Sequence, residues 1–301
     1  MVLTNEEVFE LAKKNGIDIQ PETMKGNDSG LDYYVVTAED VSGTRWILRI
    51  PRRNDSMQES AKEKKVLDSI KDKLPIQVPD WQIYTPELIA YPLLKGVPAG
   101  TVDEEKQGYI FELDEKNVPK TFIQTLSEAL VALHNIDAAE AKVLGLEVES
   151  AEEIRITMKK RMDKVKATYG VSKELWNRWQ NWIEEDSFWP VKTGLVHGDL
   201  HPGHILIDQS GSVTAVIDWT EAKFDDPSKD FISHYMVFGE ESLLELIDAY
   251  ANLGGYTWPK MKEHIDEIVA SNAIAVAEFA QKSNLEEYHQ MAREMLGVSK
   301  R

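Results

Sequence analysis

The chain has 301 residues, 42% hydrophobic and 9% aromatic. That is enough for a sizeable core and more than one core usually spans, so two lobes are expected. Its 34 lysines and arginines stand against 52 aspartates and glutamates, and the net charge of −18 excludes a nucleic-acid partner by repelling phosphates. There is no cysteine, which excludes disulfides, thiolate metal sites and cysteine nucleophiles.

The acidic surface favours a cationic small molecule, although charge of this kind also simply solvates a protein. VFELAKKNGIDI is no signal peptide, because lysines interrupt its short apolar run, and no window approaches the roughly 20 apolar residues of a membrane span. A cytoplasmic protein with no membrane partner is expected. Residues 4–14 predict a helix, with Thr4 and Glu7 as a capping box and Val8, Leu11 and Ala12 as its apolar stripe. LDYYVVTAED and TRWILRIP alternate as strands around the Ser42-Gly43 turn, and Pro51 closes the second. Val66, Leu67, Ile70 and Leu74 give residues 60–73 a helical period. WQIYT and ELIAYPLL read as short strands, and KGVPAG, 95–100, as a linker whose glycines and proline break both periods.

Beyond it the pattern turns mostly helical. Phe122, Leu126, Ala129, Leu130 and Leu133 mark a helix ending near His134, and 151–168 and 172–186 predict two more, separated by Gly170. LVHGDLHPGH leads into the strands ILID and VTAVID, joined by the turn QSGS. Residues 240–252 and 260–296 read as helical around the break GGYTWP. The fold class is therefore α+β, with a small β-rich lobe over 1–94, a hinge at about 91–100, and a larger helical lobe over 95–301.

HGDLHPGH admits three readings. His197, His201 and His204 would align as zinc ligands on a helix, but Pro202 and Gly203 interrupt that helix and a strand follows at once. The three could be ordinary turn residues. The third reading joins Asp199 to Asp218, which ends the strand after the hairpin. Phosphoryl transfer to an alcohol needs a carboxylate to orient the hydroxyl, together with ligands for the Mg²⁺ of a nucleoside triphosphate. The spacing resembles the kinase loop H-x-D-x-x-x-x-N and its downstream metal-binding aspartate.

HGDLHPGH, VIDW and DPSKD together resemble the signature of the aminoglycoside phosphotransferases and related kinases. More narrowly, GLDYYVV, WILRIPRR, ELIAY, GVPAGT, LWNRWQ, VIDWTEAK and GGYTWPKMKEHI are similar to the macrolide 2′-phosphotransferases, from about Asn5 to about Leu296. The resemblance implies a two-lobed protein-kinase-like fold, an antiparallel sheet in the N-terminal lobe, and Mg²⁺ as cofactor. It implies transfer of the γ-phosphate of GTP, or of ATP as the less preferred donor, to the 2′-hydroxyl of the desosamine of antibiotics such as erythromycin. A monomer is expected.

On this reading Asp199 orients the sugar hydroxyl and Asp218 holds the metal. His204 stands where the wider superfamily has Asn and would contact metal or phosphate; Mg²⁺ prefers oxygen, so direct and water-mediated contact both stay open. His197 braces the loop, and His201 is left unassigned. Arg49 occupies the place of the phosphate-gripping lysine, with Glu63 as its ion-pair partner. NDSGLD offers Ser29 and Gly30 as a short phosphate-covering turn. Tyr91, Pro92, Leu93 and Leu94 would meet the base edge through their backbone. Asp230 would either brace the loop or hold the sugar. Tyr235, Met236, Phe238, Trp258, Glu278 and Phe279 form the pool for an apolar pocket, acidic at one point, though such stripes also build cores. Two other functions fit the same residues: a kinase for an aminoglycoside, choline or homoserine, and a nucleotide-binding module without turnover.

Overall fold

The computed structural model describes residues 3–28, 32–53, 56–103, 108–143 and 145–298. The capping box forms as expected. The Glu7 N–H donates to the Thr4 hydroxyl at 3.3 Å, the Thr4 N–H donates to the Glu7 carboxylate at 2.7 Å, and α1 runs Asn5–Lys14. The hairpin strands are β2 (Tyr33–Glu39) and β3 (Arg45–Pro51), paired from Tyr33↔Pro51 to Glu39↔Arg45. With β1 (Lys25–Asn27), β4 (Ile83–Tyr84) and β5 (Ile89–Pro92) they make an antiparallel sheet in the order β1-β2-β3-β5-β4.

The pleat sends successive side chains to opposite faces. Tyr34, Val36, Ala38, Leu48 and Ile50 pack with Val8 and Ala12 of α1. Tyr33, Ile47 and Tyr91 join the other core, against Val66, Leu67 and Ile70 of α2 (Ser56–Ile70). Arg49 shares that face with Ile47 and meets α2 through Glu63. The helix begins a turn earlier than the apolar period predicts, where the Ser56 hydroxyl donates to the Asp32 carbonyl at 3.1 Å.

The expected linker is shorter than its glycines and proline suggest. Val97–Pro98 is a strand, β6, paired with Leu206 and Ile207 of β10 (Ile205–Ile207), and it lies at a sheet edge, where proline is tolerated. The chain does not turn helical there either. β7 (Gly100–Asp103) and β8 (Gly108–Phe111) form an antiparallel pair first, too short for a period of two to stand out in the sequence.

The second lobe is built from α3 (Lys120–His134), α4 (Ala138–Val143), α5 (Ala151–Tyr169) and α6 (Lys173–Glu184), followed by the short strands β9 (Gly194–Val196), β10, β11 (Val213–Val216) and β12 (Lys223–Asp225). α7 (Ile232–Asn252) starts before the predicted 240 and is kinked at Gly239, whose φ of 82° interrupts the helical period at that point. The predicted 260–296 helix is three helices: α8 (Met261–Ala270), α9 (Asn272–Ser283) and α10 (Glu286–Met295). The break before α10 is Asn284, left-handed at φ 54°.

The lobes meet at Gln77, whose N–H donates to the Thr214 carbonyl at 2.9 Å and whose carbonyl accepts the Val216 N–H at 3.1 Å. Leu94 packs beside it with Leu206 and Ala215. This is the α+β, two-lobed arrangement expected from the sequence. Among the described residues no helix is long and apolar enough to cross a membrane.

Candidate active site

The HGDLHPGH loop joins β9 to β10, and a buried scaffold holds it from below. His197 is fully buried. Its Nδ1 accepts the Asp199 N–H at 3.2 Å and its Nε2–H donates to the Ile217 carbonyl at 3.0 Å, so both nitrogens are used and the tautomer is fixed. Burial keeps its pKa below the ordinary value, and it stays neutral. A three-histidine zinc site is thereby excluded. Gly198 has φ 84°, and a Cβ on it would stand 2.9 Å from the Glu221 carbonyl oxygen, so only glycine lets the loop pass so close to the segment after Asp218.

Asp230 lies under the loop, 1% exposed. It accepts the His197 N–H at 2.8 Å, the Gly198 N–H at 2.9 Å and the His134 Nε2–H at 3.2 Å. Burial raises its pKa, but His134, His197 and the Gly198 amide outweigh it, and the carboxylate lies below its usual range. His134 Nδ1 in turn accepts the Tyr250 hydroxyl at 2.9 Å. Of the two uses open to Asp230, this is bracing. The alternative expectation, that it holds the sugar, is corrected, since both oxygens are occupied and the residue is buried beneath the loop.

Above that scaffold three groups converge. The Asp199 side chain is 52% exposed. His204 Nδ1–H donates to the Asp199 carbonyl at 2.9 Å and lies 3.6 Å from its carboxylate, while Nε2 lies 3.7 Å from the carboxylate of Asp218. With Nδ1 engaged by the Asp199 carbonyl, Nε2 is the ring nitrogen that faces Asp218. Asp218 has φ 63°, a left-handed conformation rare for a residue with a side chain and typical of strained functional turns. Burial raises its pKa, but the Thr220 hydroxyl, His204 and Arg49 more than offset that, and Asp218 remains ionised. His201 also comes near: ligand atoms of Asp199, His201 and His204 lie within 4.8 Å of one another. Yet His201 Nδ1 accepts the Gly203 N–H at 3.0 Å, which puts its own proton on Nε2 and leaves no free lone pair for a metal.

The third wall comes from the sheet. Glu63 stands on the buried stripe of α2, and Arg49 Nη1 donates to both its oxygens at 3.1 Å. The guanidinium lies 4.4 Å from the Tyr33 ring centroid and 5.4 Å from that of Trp81, so two aromatic faces hold the cation in place. Burial pushes the Glu63 carboxyl up and Arg49 pulls it down; a backbone bond from Trp219 ties it to the residue after Asp218. Arg49 itself stays charged, because Glu63 outweighs its burial. Tyr91 is buried, its phenol pushed up to about 12 by burial, with Arg49 opposing and Glu63 and Asp218 adding. Its side chain thus belongs to the charged cluster, while its backbone pairs with Ile47. Of the expected base-edge amides, Pro92 has none and the Leu93 N–H is engaged by the Arg45 carbonyl at 2.7 Å. Ser29 and Gly30 lie outside the described residues.

The expected pocket pool divides. Phe238 packs 5.7 Å from Phe111 and 4.9 Å from His234, on the side of the HGDLHPGH loop. Met236 is 64% exposed beside it in sequence. The others are engaged elsewhere. Tyr235 meets Lys262 and Asp266, the Trp258 indole N–H donates to the Phe188 carbonyl at 2.7 Å, Arg161 clamps Glu278 at 2.7 and 2.9 Å, and Phe279 stacks edge-on against Tyr288. Sequence reasoning missed Tyr109, whose hydroxyl lies 3.3 Å from His201 Nδ1. The alternation of Tyr109 and Phe111 in GYIF was the signal available for it.

Residues 23–264 match the phosphotransferase enzyme family. The chain is 43% identical over 293 residues to the uncharacterized protein YcbJ of Bacillus subtilis (strain 168), covering 97% of this chain and 96% of that one. Its structure is similar to that of the macrolide 2′-phosphotransferase MphH from Brachybacterium faecium, at a TM-score of 0.91 and 31% identity over 98% of both chains. It is also similar to a macrolide 2′-phosphotransferase of type I, at 0.85 and 35% identity over the whole of both.

Proposed function

The chain belongs to the phosphotransferase enzyme family, and on that premise we propose that it moves the γ-phosphate of GTP to the 2′-hydroxyl of the desosamine of macrolides such as erythromycin. The enzyme acts on an alcohol; the choice of alcohol and of donor is the proposal. Likeness over the full chain to two macrolide 2′-phosphotransferases, at 31% and 35% identity, supports it. On this reading it works in the cytoplasm as a monomer. Residues 1–94 form the nucleotide lobe, 95–301 the acceptor lobe, and Tyr91, Pro92 and Leu94 the hinge beside the base.

One observation carries the chemistry: His204 spans 3.6 Å to Asp199 and 3.7 Å to Asp218, so that the two carboxylates lie on either side of one imidazole. The residues fit Mg²⁺. Asp218 is ionised, and Nε2 of His204 faces it at 3.7 Å. Asp218 and His204 would hold the ion, which when bound neutralises the charge on the β- and γ-phosphates. Arg49, fixed by Glu63, supplies a permanent charge for the phosphates. Asp199 accepts a hydrogen bond from the sugar hydroxyl and aims its oxygen at the phosphorus. If the transition state is loose, that positioning matters more than early removal of the proton.

Turnover of GTP and ATP against macrolides with and without cladinose, with kanamycin, choline and homoserine as rival acceptors, tests this reading. Phosphate transfer to macrolides with GTP ahead of ATP is expected. Transfer to a rival acceptor alone would overturn it.

A further inference from the structure

The function proposed above leaves one part of the site unused, the ribbon of β7 and β8 inserted directly after the lobe junction. Its register pairs Gly100 with Phe111 and Val102 with Tyr109, which puts these four residues on one face. The inner end of that face is clamped to the HGDLHPGH loop. The Gly100 N–H donates to the Pro202 carbonyl at 3.2 Å, and a Cβ on Gly100 would stand 2.9 Å from the Phe111 ring and 3.1 Å from Pro202. Phe111 then packs 5.7 Å from Phe238. The outer end is open. Val102 is 58% exposed and Tyr109 half-buried, its ring 5.5 Å from Phe111 and 6.3 Å from His201.

The loop sets the place of the Tyr109 phenol. Its oxygen lies 3.3 Å from His201 Nδ1, whose one lone pair the Gly203 N–H already takes, so the phenol is placed against the ring edge and can only share that acceptor. His201 in turn has a ligand atom within 4.8 Å of those of Asp199 and His204, so the phenol stands at the edge of that cluster, and the Asp199 charge adds to burial in raising the Tyr109 pKa. An aromatic face, an exposed apolar neighbour and a carboxylate thus lie together on the acceptor side of the site.

Resting on the macrolide reading, we propose that Tyr109 is a specificity-determining residue. Its ring receives the tertiary ammonium of the amino sugar, and Val102 continues the wall under the apolar part of the substrate. The chemistry fits because desosamine carries its dimethylamino group on the carbon next to the reacting hydroxyl. A hydroxyl held at Asp199 therefore puts that cation within reach of the ring, where a methylated ammonium is favoured over a strongly hydrated polycation.

The test is a KM-against-kcat comparison with erythromycin, alongside calorimetric Kd for GTP. Tyr109→Ala should raise the macrolide KM about tenfold, with a much smaller fall in kcat and the Kd for GTP kept. Tyr109→Phe, which keeps the ring, should stay within about threefold of the parent KM. Val102→Lys, at an exposed position that does not endanger folding, should also raise the KM, by repelling the ammonium. If the parent chain turns over erythromycin and both Tyr109→Ala and Val102→Lys leave its KM unchanged, this proposal alone is overturned. Loss in Tyr109→Phe equal to that in Tyr109→Ala overturns the role of the ring. If the parent chain phosphorylates no macrolide, the functional reading falls and this inference with it.

Discussion

Nε2 of His204 stands 3.7 Å from the Asp218 carboxylate, while Nδ1 on the far side of the ring donates to the Asp199 carbonyl. A nitrogen lone pair beside a carboxylate suits a divalent ion, but it is a softer donor than the amide oxygen of asparagine. Mg²⁺ is the ion that gains least from nitrogen, whereas Mn²⁺ accepts it readily. His204→Asn should therefore shift the enzyme toward Mg²⁺ relative to Mn²⁺. Half-saturating metal concentrations for both ions, measured in the two proteins, check this; an unchanged ratio would remove His204 from the metal.

Asp199 and Asp218 should separate in their defects. Asp199→Ala should lower kcat by about 10²- to 10⁴-fold with nucleotide affinity nearly intact, because its carboxylate faces the acceptor. Asp218→Ala should also abolish Mg²⁺-dependent nucleotide binding. Calorimetry beside the turnover assay separates the two, and equal defects in both measurements would contradict the assignment.

Glu63 is buried, and its bond with Arg49 compensates a cation enclosed by Tyr33 and Trp81. Glu63→Ala leaves that charge unpaired, which typically costs about 3–5 kcal/mol. Because the same carboxylate takes a backbone bond from Trp219, the turn carrying Asp218 should loosen too. A lower denaturation midpoint together with weaker GTP binding is expected. A drop in stability with unchanged nucleotide affinity would mean that the pair only supports the fold.

His234 sits between Phe122 and Phe238, its pKa lowered by burial from 6.5 to about 4. The unfolded chain takes up the proton first, so stability is fully present above about pH 6.5 and is lost as the pH falls toward 4. The loss from this one ring is on the order of 3 kcal/mol at the acid end of the window. His234→Gln retains a side chain able to bond Ser242 but does not titrate. Its denaturation midpoint should fall less between pH 7.5 and pH 5 than that of the parent chain. Parallel slopes would place the acid sensitivity elsewhere, His197 being the next candidate.

Local chemistry made much of this protein legible from its residues. The period of two in WILRIP puts Arg49 on the face opposite Leu48 and Ile50, the capping box at Thr4 starts α1, and the H-x-D spacing with a strand-end aspartate marks the site. These are short-range properties, set by backbone geometry and by which atoms a reaction needs. What only the tertiary structure decided depends on contacts distant along the chain. Asp230 is 33 residues from His197 and braces the loop because folding buries it beneath two amides. Tyr109 reaches His201 across 92 residues, on a ribbon too short to announce itself. Tautomers belong to the same class: a histidine in a sequence has two equivalent chances to carry its proton, and only the neighbours supplied by folding choose between them.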